Sequence, residues 1–344
     1  MRQQEFWQAL LSLDLPPRKS RELLERLGTA CLSADDLASS RVLSSSERLC
    51  LQEQKPLSEV QRRLLRVVSI EEDAYPANLR LLCDPPAALM VEGDLKPEDE
   101  LAVAIVGTRR ATPYGRAVAR KLAADLAAGG VTVVSGGAHG IDAEAHAGAL
   151  GAGGRTIVVA GSGLDRPYPA ANRSLFARVV KNGAVLTQFA LGTAPDYWRF
   201  PLRNYTIAGL VRAVVVVEAP QGSGSLSTAN AAVDEGRHVF ATPAAVGSQG
   251  HAGSFRLIND GATLLYTPDQ VFEALGVERR VAEREPPELT DTQNNILERL
   301  TREPELVDNL SEALGLSAGV VLADLTKLEI EGLVARSAGG YVRL

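Results

Sequence analysis

Four short stretches of this 344-residue sequence combine glycine with hydroxyl or basic side chains. They are Gly107-Thr108-Arg109-Arg110, Ser135-Gly136-Gly137-Ala138-His139-Gly140, Gly161-Ser162-Gly163 and Gly222-Ser223-Gly224-Ser225. Glycine lets backbone N–H groups approach a ligand closely, hydroxyls add donors, and a following helix N-terminus adds partial positive charge. The chemistry is anion binding. One such loop is explained as well by a tight turn; four of them beside Arg109 and Arg110 favour a phosphate-binding surface.

A second group lies at 196–205, DYWRFPLRNY. Tyr197, Trp198, Phe200 and Tyr205 are four of the chain's 16 aromatic residues, with Arg199 and Arg203 between them. Rings beside cations suit a single nucleic-acid strand, because every base has a face to stack and every phosphate takes a donor. Each stacked base is worth about 1–3 kcal/mol. Tyr168, Trp198, Phe200 and Tyr205 are the stacking candidates; the competing reading is that these rings cap a core.

Other chemistries fit less well. No Gly-Lys dipeptide occurs, so a Walker A loop is absent, and GTRRATPYG after the first apolar run is not GxGxxG. ATP and NAD are therefore poor candidates, and no cofactor is expected. His139, Asp142, Glu144 and His146 cluster in GAHGIDAEAH, and Asp142 with His146 shares a helix face. An Asp at a helix start more often caps backbone than holds a metal, so no metal is expected. Ser135 has no acid–base partner nearby in sequence. The rival class is an enzyme releasing a base from a nucleoside monophosphate, with Glu144 or Glu218 poised at the sugar.

The elements that must position these loops are legible. LAVAIVGT, VTVVSGG, TIVVAGSG, AVLTQF, AVVVVEA and HVFATPA are nearly continuous apolar runs, as buried parallel strands require. Helical patterns at 113–129, 141–150, 170–182, 204–210 and 225–236 alternate with them. The fold class is α/β, a doubly wound Rossmann-like parallel sheet at 101–277, whose strand carboxyl ends form the ligand edge. Residues 1–66 read as short helices with Ser33 as an N-cap; 67–100 read as an extended connector, a linker or an edge element, entering the core. Residues 278–288 (ERRVAEREPPE) read as a linker. Three helices and a hairpin at 289–344 outline a winged helix. Its third helix carries Asp324, Glu329 and Glu331 against Lys327, and phosphate repels such a helix, which points it toward protein contacts.

Charge agrees with a divided molecule. The whole chain is −6, but residues 101–270 hold 15 Lys and Arg against 10 Asp and Glu, a basic centre between acidic flanks. No apolar run reaches the ~18 residues a membrane helix needs. The N-terminus does not read as a signal peptide, and Cys31, Cys50 and Cys83 lie far apart. A reduced, cytoplasmic protein is expected.

The run IVGTRRATPYGRAVARKLAADLAAGGVTVVSGGAHGIDAEAHAGAL resembles the DNA-processing protein A family (DprA, also called Smf). So, in order, do GSGLDRPYPAANRSL, FPLRN with IAGL, and VVEAPQGSGSLSTANAA with EGRHVFATP. The likeness covers about 70–270. It implies a sterile-alpha-motif-like N-terminal domain and a C-terminal winged helix. It implies a non-catalytic protein of natural transformation that binds incoming single-stranded DNA, protects it and loads the RecA recombinase. A homodimer is the expected form, with single-strand-binding protein as a further partner. Carried onto matching positions, the DNA-binding groups are Arg109 with its loop, residues 135–140, Arg173, Arg203 with Asn204, and Ser223 to Ser227, including Gly224 and Ser225. Many members have Arg where His139 and Tyr205 stand, Glu where Gln188 stands and Asn where Phe255 stands, which thins the expected phosphate grip.

Overall fold

The computed structural model describes residues 2–27, 33–52, 58, 66–279, 289–301, 303–330, 333–337 and 339–343. Cys31, Glu331 and most of the expected linker, from 280 on, lie outside them. The chain divides into two compact units, Met1–Val281 and Ala282–Leu344.

The first unit opens with helices α1 (Arg2–Ser12), α2 (Pro17–Leu27), α3 (Ala34–Ser39) and α4 (Ser45–Gln52). Ser33 caps α3 as its type suggests, in a reciprocal box with Asp36. These helices do not close a core alone. Phe6, Leu10, Leu23 and Leu37 pack with Val67, Ala88 and Met90 of the following strands.

Those strands are β1 (Arg66–Ser69) and β2 (Ala88–Gly93), joined through the short helix α5 (Ala77–Arg80). The connector expected at 67–100 is thus built into the sheet: β2 pairs antiparallel with β1 and with β6 (Gly183–Thr187). The Pro-rich turns around Tyr75-Pro76 and Pro85-Pro86 give the segment an extended, loop-like look, and no crossover helix pattern marks β1 and β2 as strands.

The parallel part contains β3 (Ala102–Val106), β4 (Thr132–Ser135), β5 (Thr156–Val159), β6, β7 (Ala213–Val216), β8 (His238–Ala241) and β9 (Thr263–Leu264). Spatial order is β1-β2-β6-β5-β4-β3-β7-β8-β9. The order reverses between β3 and β7, the position where an open α/β sheet opens a crevice.

Alternation along each strand feeds two cores. Ala102, Ala104 and Val106 face the layer containing Ile207, Ala208 and Ala229. Val103 and Ile105 face Ala119, Leu122, Leu126 and Ala145. The first layer carries α9 (Arg199–Leu210), α10 (Ser225–Asp234) and α11 (Ala252–Asn259). The second carries α6 (Pro113–Ala128), α7 (Ile141–Gly151) and α12 (Asp269–Leu275), with α8 (Arg173–Val179) packed beside them under β5 and β6.

The second unit has α13 (Asp291–Arg299), α14 (Val307–Leu314) and α15 (Ala318–Ile330), followed by an antiparallel hairpin of β10 (Val334–Ser337) and β11 (Gly340–Arg343). Ile296, Leu310, Val321, Leu325, Leu328 and Tyr341 form its own core. This is a winged helix. The charge on α15 is distributed differently from the linear reading, because Asp324 is buried and accepts from Gln293 and Lys327.

Candidate nucleic-acid interface

Parallel strands place all their carboxyl ends on one edge. Along it, the loops follow in spatial order from β6, β5, β4, β3, β7 and β8, a row spanning roughly 24 Å at ordinary strand spacing. The four glycine stretches all stand on this edge, as alternation of strands and helices requires. At the β3/β7 reversal the first, second and fourth border a cavity of about 330 Å³ lined by Thr108, Arg109, Arg110, Asp142, Phe200, Arg203, Asn204, Ser223 and Ser225, among others.

The first loop is pinned from below. Thr108 donates its backbone N–H to the Glu218 carbonyl at 2.7 Å. The buried Glu218 carboxylate accepts from Thr112 twice, from its N–H at 3.0 Å and its hydroxyl at 2.9 Å. Arg109 and Arg110 project outward and have no acidic partner among the described residues. The Arg109 guanidinium lies 5.0 Å from the centre of the Phe200 ring, which leans on Tyr168 at 5.8 Å. A cation held over a ring keeps its N–H fork free for phosphate.

Helical geometry explains which side chains of α9 reach the cleft. Phe200, Arg203, Asn204 and Ile207 recur at i, i+3, i+4 and i+7 and line it together. Tyr205 falls off that stripe. Its hydroxyl bonds Glu235 and its ring packs on the core beneath α9, so the structure does not bring it to the site. Trp198 stands 44% exposed at the start of α9, stacked under Arg199 at 4.1 Å, beside a separate cavity against α1 and α2.

Arg203 differs from the expectation of a surface phosphate ligand. It is 6% exposed, and its Nη1 donates to the carbonyls of Gly136 and of Val159, the latter at 2.7 Å. Nε donates to Asn204 at 3.0 Å. A Cβ on residue 136 would stand 2.3 Å from this guanidinium, so Gly136 makes room for it. Burial pushes the Arg203 pKa down to about 10, with Asp142 opposing the fall; it remains cationic at neutral pH. Asn204 donates to Ser227 at 2.7 Å and to the Gly224 carbonyl at 3.2 Å. Arg203 and Asn204 thus lock the second and fourth loops to one helix.

The second loop is held inside as well as displayed. Ser135 spends its hydroxyl on the Ile105 carbonyl at 2.7 Å. Asp142 accepts from the Ala138 N–H; burial raises its pKa, and Arg203 is the main opposing influence. Asn172 donates to the carbonyls of Gly137 and Ala138. At Gly140, φ is +75° and a Cβ would meet the Thr108 carbonyl at 2.4 Å, so glycine is required where the first two loops touch. His139 is exposed at the tip. In the third loop Gly161 passes against Phe200, Gly163 against the Ala190 carbonyl, and Ser162 donates to the Arg166 carbonyl. Arg173, at the start of α8, is exposed, and so is Arg166, which the motif reading did not include. Its signal was a basic residue two before Tyr168 in a ligand-edge loop.

The acid–histidine cluster is structural. His146 is fully buried and its Nδ1 bonds Thr156 at 2.7 Å. Burial and then Arg203 push its pKa down to about 3. Glu144 pairs with Arg120 at 2.7 Å and Arg116 at 3.8 Å. Among the described residues no group of three or more His, Cys, Asp or Glu could hold a metal.

Comparison with known proteins decides the family. The family model for DNA recombination-mediator protein A matches residues 66–276, and that for the DprA winged helix domain matches 280–340. The chain belongs to the DprA family. It is 36% identical to Protein Smf of Escherichia coli over 288 residues, 81% of this chain and 77% of that one. It is 37% identical to the DNA processing protein DprA of Bacillus subtilis over 223 residues, 64% of this chain and 75% of that one. Among solved structures, DprA from Streptococcus pneumoniae superposes with a TM-score of 0.66 at 32% identity, covering 77% of this chain and 95% of that one. DNA processing protein A from Helicobacter pylori, described for its single-stranded DNA binding mode, superposes with a TM-score of 0.55 at 31% identity, covering 61% and 95%. The glycine-loop edge lies within the first matched region, and the three helices and first hairpin strand of the winged helix within the second. No helix among the described residues is long and apolar enough to cross a membrane.

Proposed function

We propose that this protein binds single-stranded DNA along the carboxyl edge of its sheet and hands the strand to the RecA recombinase. The observation that carries the reading is the display of Arg109 and Arg110, without acidic partners among the described residues, beside Phe200 and in one cavity with residues of three glycine loops. Exposed Arg166 and Arg173 continue the cationic row, and exposed His139 adds a ring nitrogen beside it. Phosphates lie on this row while Tyr168 and Phe200 take bases, so affinity falls with salt and depends little on sequence. The resemblance to a single-strand-binding relative supports the ligand, and the name of the family supports the recombinase step. Single-strand-binding protein is a further partner on the same footing, and the cytoplasm is where such a strand is met.

The reading is non-catalytic. Glu218 is committed to Thr112 and Glu144 to two arginines, which leaves neither free to attack a sugar. A homodimer completes the proposal. The sheet ends on β9, with Leu264 exposed on that strand and Tyr266 exposed just beyond its end, and pairing two such edges buries them.

Fluorescence anisotropy with a labelled ~30-mer single strand and the matching duplex, across a salt series, tests the site. Arg109→Ala/Arg110→Ala is expected to weaken strand binding more than tenfold and to flatten the salt slope by about 0.7 for each phosphate no longer held. Failure of the wild-type protein to bind either form at low salt removes the DNA reading; release of free base from a nucleoside monophosphate would establish the enzyme instead.

A further inference from the structure

The turn that begins α9 is tied to the far end of the chain. Arg199 Nη2 donates to Asp14 at 2.9 Å, a contact between residues 185 apart in sequence. Its Nη1 donates to Asp196 and to the Ala194 carbonyl. Its guanidinium lies 4.1 Å from the Trp198 ring centre and 5.8 Å from that of Phe189. The side chain is only 14% exposed, so it is not placed to grip phosphate. Asp14 sits in the turn between α1 and α2 at φ +51°, the one non-glycine positive φ among the described residues. A second tie runs in parallel, from the Leu191 N–H to Gln8 of α1.

We infer that Arg199 is a positioning residue for strand binding: its ion pair with Asp14 lets the N-terminal helices set the first turn of α9, and so the place of Phe200 and Arg109. The inference rests on the strand-binding reading above. Phe200 is the next residue after Arg199, and its ring touches Arg109, Tyr168 and Arg203. Movement of this turn therefore displaces the ring that holds the leading cation. The sequence separation means that the device exists only when the N-terminal helices are docked.

Asp14→Asn is the decisive variant. Asparagine tolerates a left-handed backbone as aspartate does, so the turn survives and only the charge is lost. Removing an acid from a DNA-binding protein should tighten binding if charge alone matters. The latch predicts the reverse: weaker single-strand binding, by roughly 3- to 10-fold, at an unchanged salt slope. Arg199→Gln is expected to match it, and Asp14→Asn combined with Phe200→Ala to lose little more than Phe200→Ala alone. Independently of DNA, hydrogen exchange over 199–203 is expected to accelerate in Asp14→Asn. Wild-type-like or tighter binding by Asp14→Asn, multiplicative losses in the double variant, or unchanged exchange each overturn the latch. If the wild-type protein binds no strand, the functional reading fails, and exchange alone judges whether the tie holds the turn.

Discussion

At the scale of single residues, arginines of one type do opposite work. Arg109 is exposed over the Phe200 ring and Arg203 ends in carbonyl oxygens. Arg109→Ala is therefore expected to leave stability within about 0.5 kcal/mol while weakening strand binding. Arg203→Ala leaves two carbonyls and Asp142 without their cation, and is expected to cost about 3–5 kcal/mol in denaturant unfolding. Equal stability of the two variants would show that Arg203 is not a structural cation. His146 gives a pH prediction with a fixed sign. Its pKa is about 3 when folded against 6.5 for an unperturbed histidine, so the unfolded chain binds the extra proton between those values. The stability it contributes is complete above pH 6.5 and is lost as pH falls toward 3, by about 1.4 kcal/mol per unit. His251, also shifted down by burial, acts in the same direction; Asp142, shifted up by burial, acts in the opposite one. Melting curves from pH 7 to 5 are expected to show a shallower fall for His146→Asn than for wild type.

At the scale of elements, the loops work as a set because α9 binds two of them and the glycines let them touch. Gly140→Ala forces a side chain into left-handed backbone and onto the Thr108 carbonyl. It is expected to cost about 1–3 kcal/mol in thermal unfolding and to weaken strand binding with it. Loss of binding without loss of stability would place Gly140 at the ligand rather than at the loop contact. The parallel strands and crossover helices were legible because their patterns are local: an apolar run of four or five residues, then a helical repeat. β1 and β2 were legible only as extended chain at an edge, because their pairing rests on β6, about 90 residues away and bonded to β2, and not on their own period. α9 was expected to start at 204 and starts at Arg199, since Phe200 and Leu202 serve the cleft and the N-terminal helices and do not follow a single apolar face.

At the scale of the whole molecule, two units have separate cores. A chain ending at Arg279 is expected to keep strand affinity and salt slope, because the row of cations lies within the first unit. The open β9 edge predicts that Leu264→Asp/Tyr266→Asp is monomeric by light scattering while the wild-type protein is dimeric; an unchanged mass would move the dimer surface elsewhere. By itself the sequence determined the alternation of strands and helices, and from it the gathering of four glycine loops on one edge, because those signals act between neighbours in the chain. Tertiary structure alone decided which basic and aromatic side chains face the cleft. Arg203 turns inward because Gly136 and Val159, 67 and 44 residues away, offer their carbonyls. Arg199 is held by Asp14 across 185 residues, and Tyr205 is carried off the cleft by the turn of its helix. A side chain's exposure is set by what packs against it, and those partners are distant in sequence.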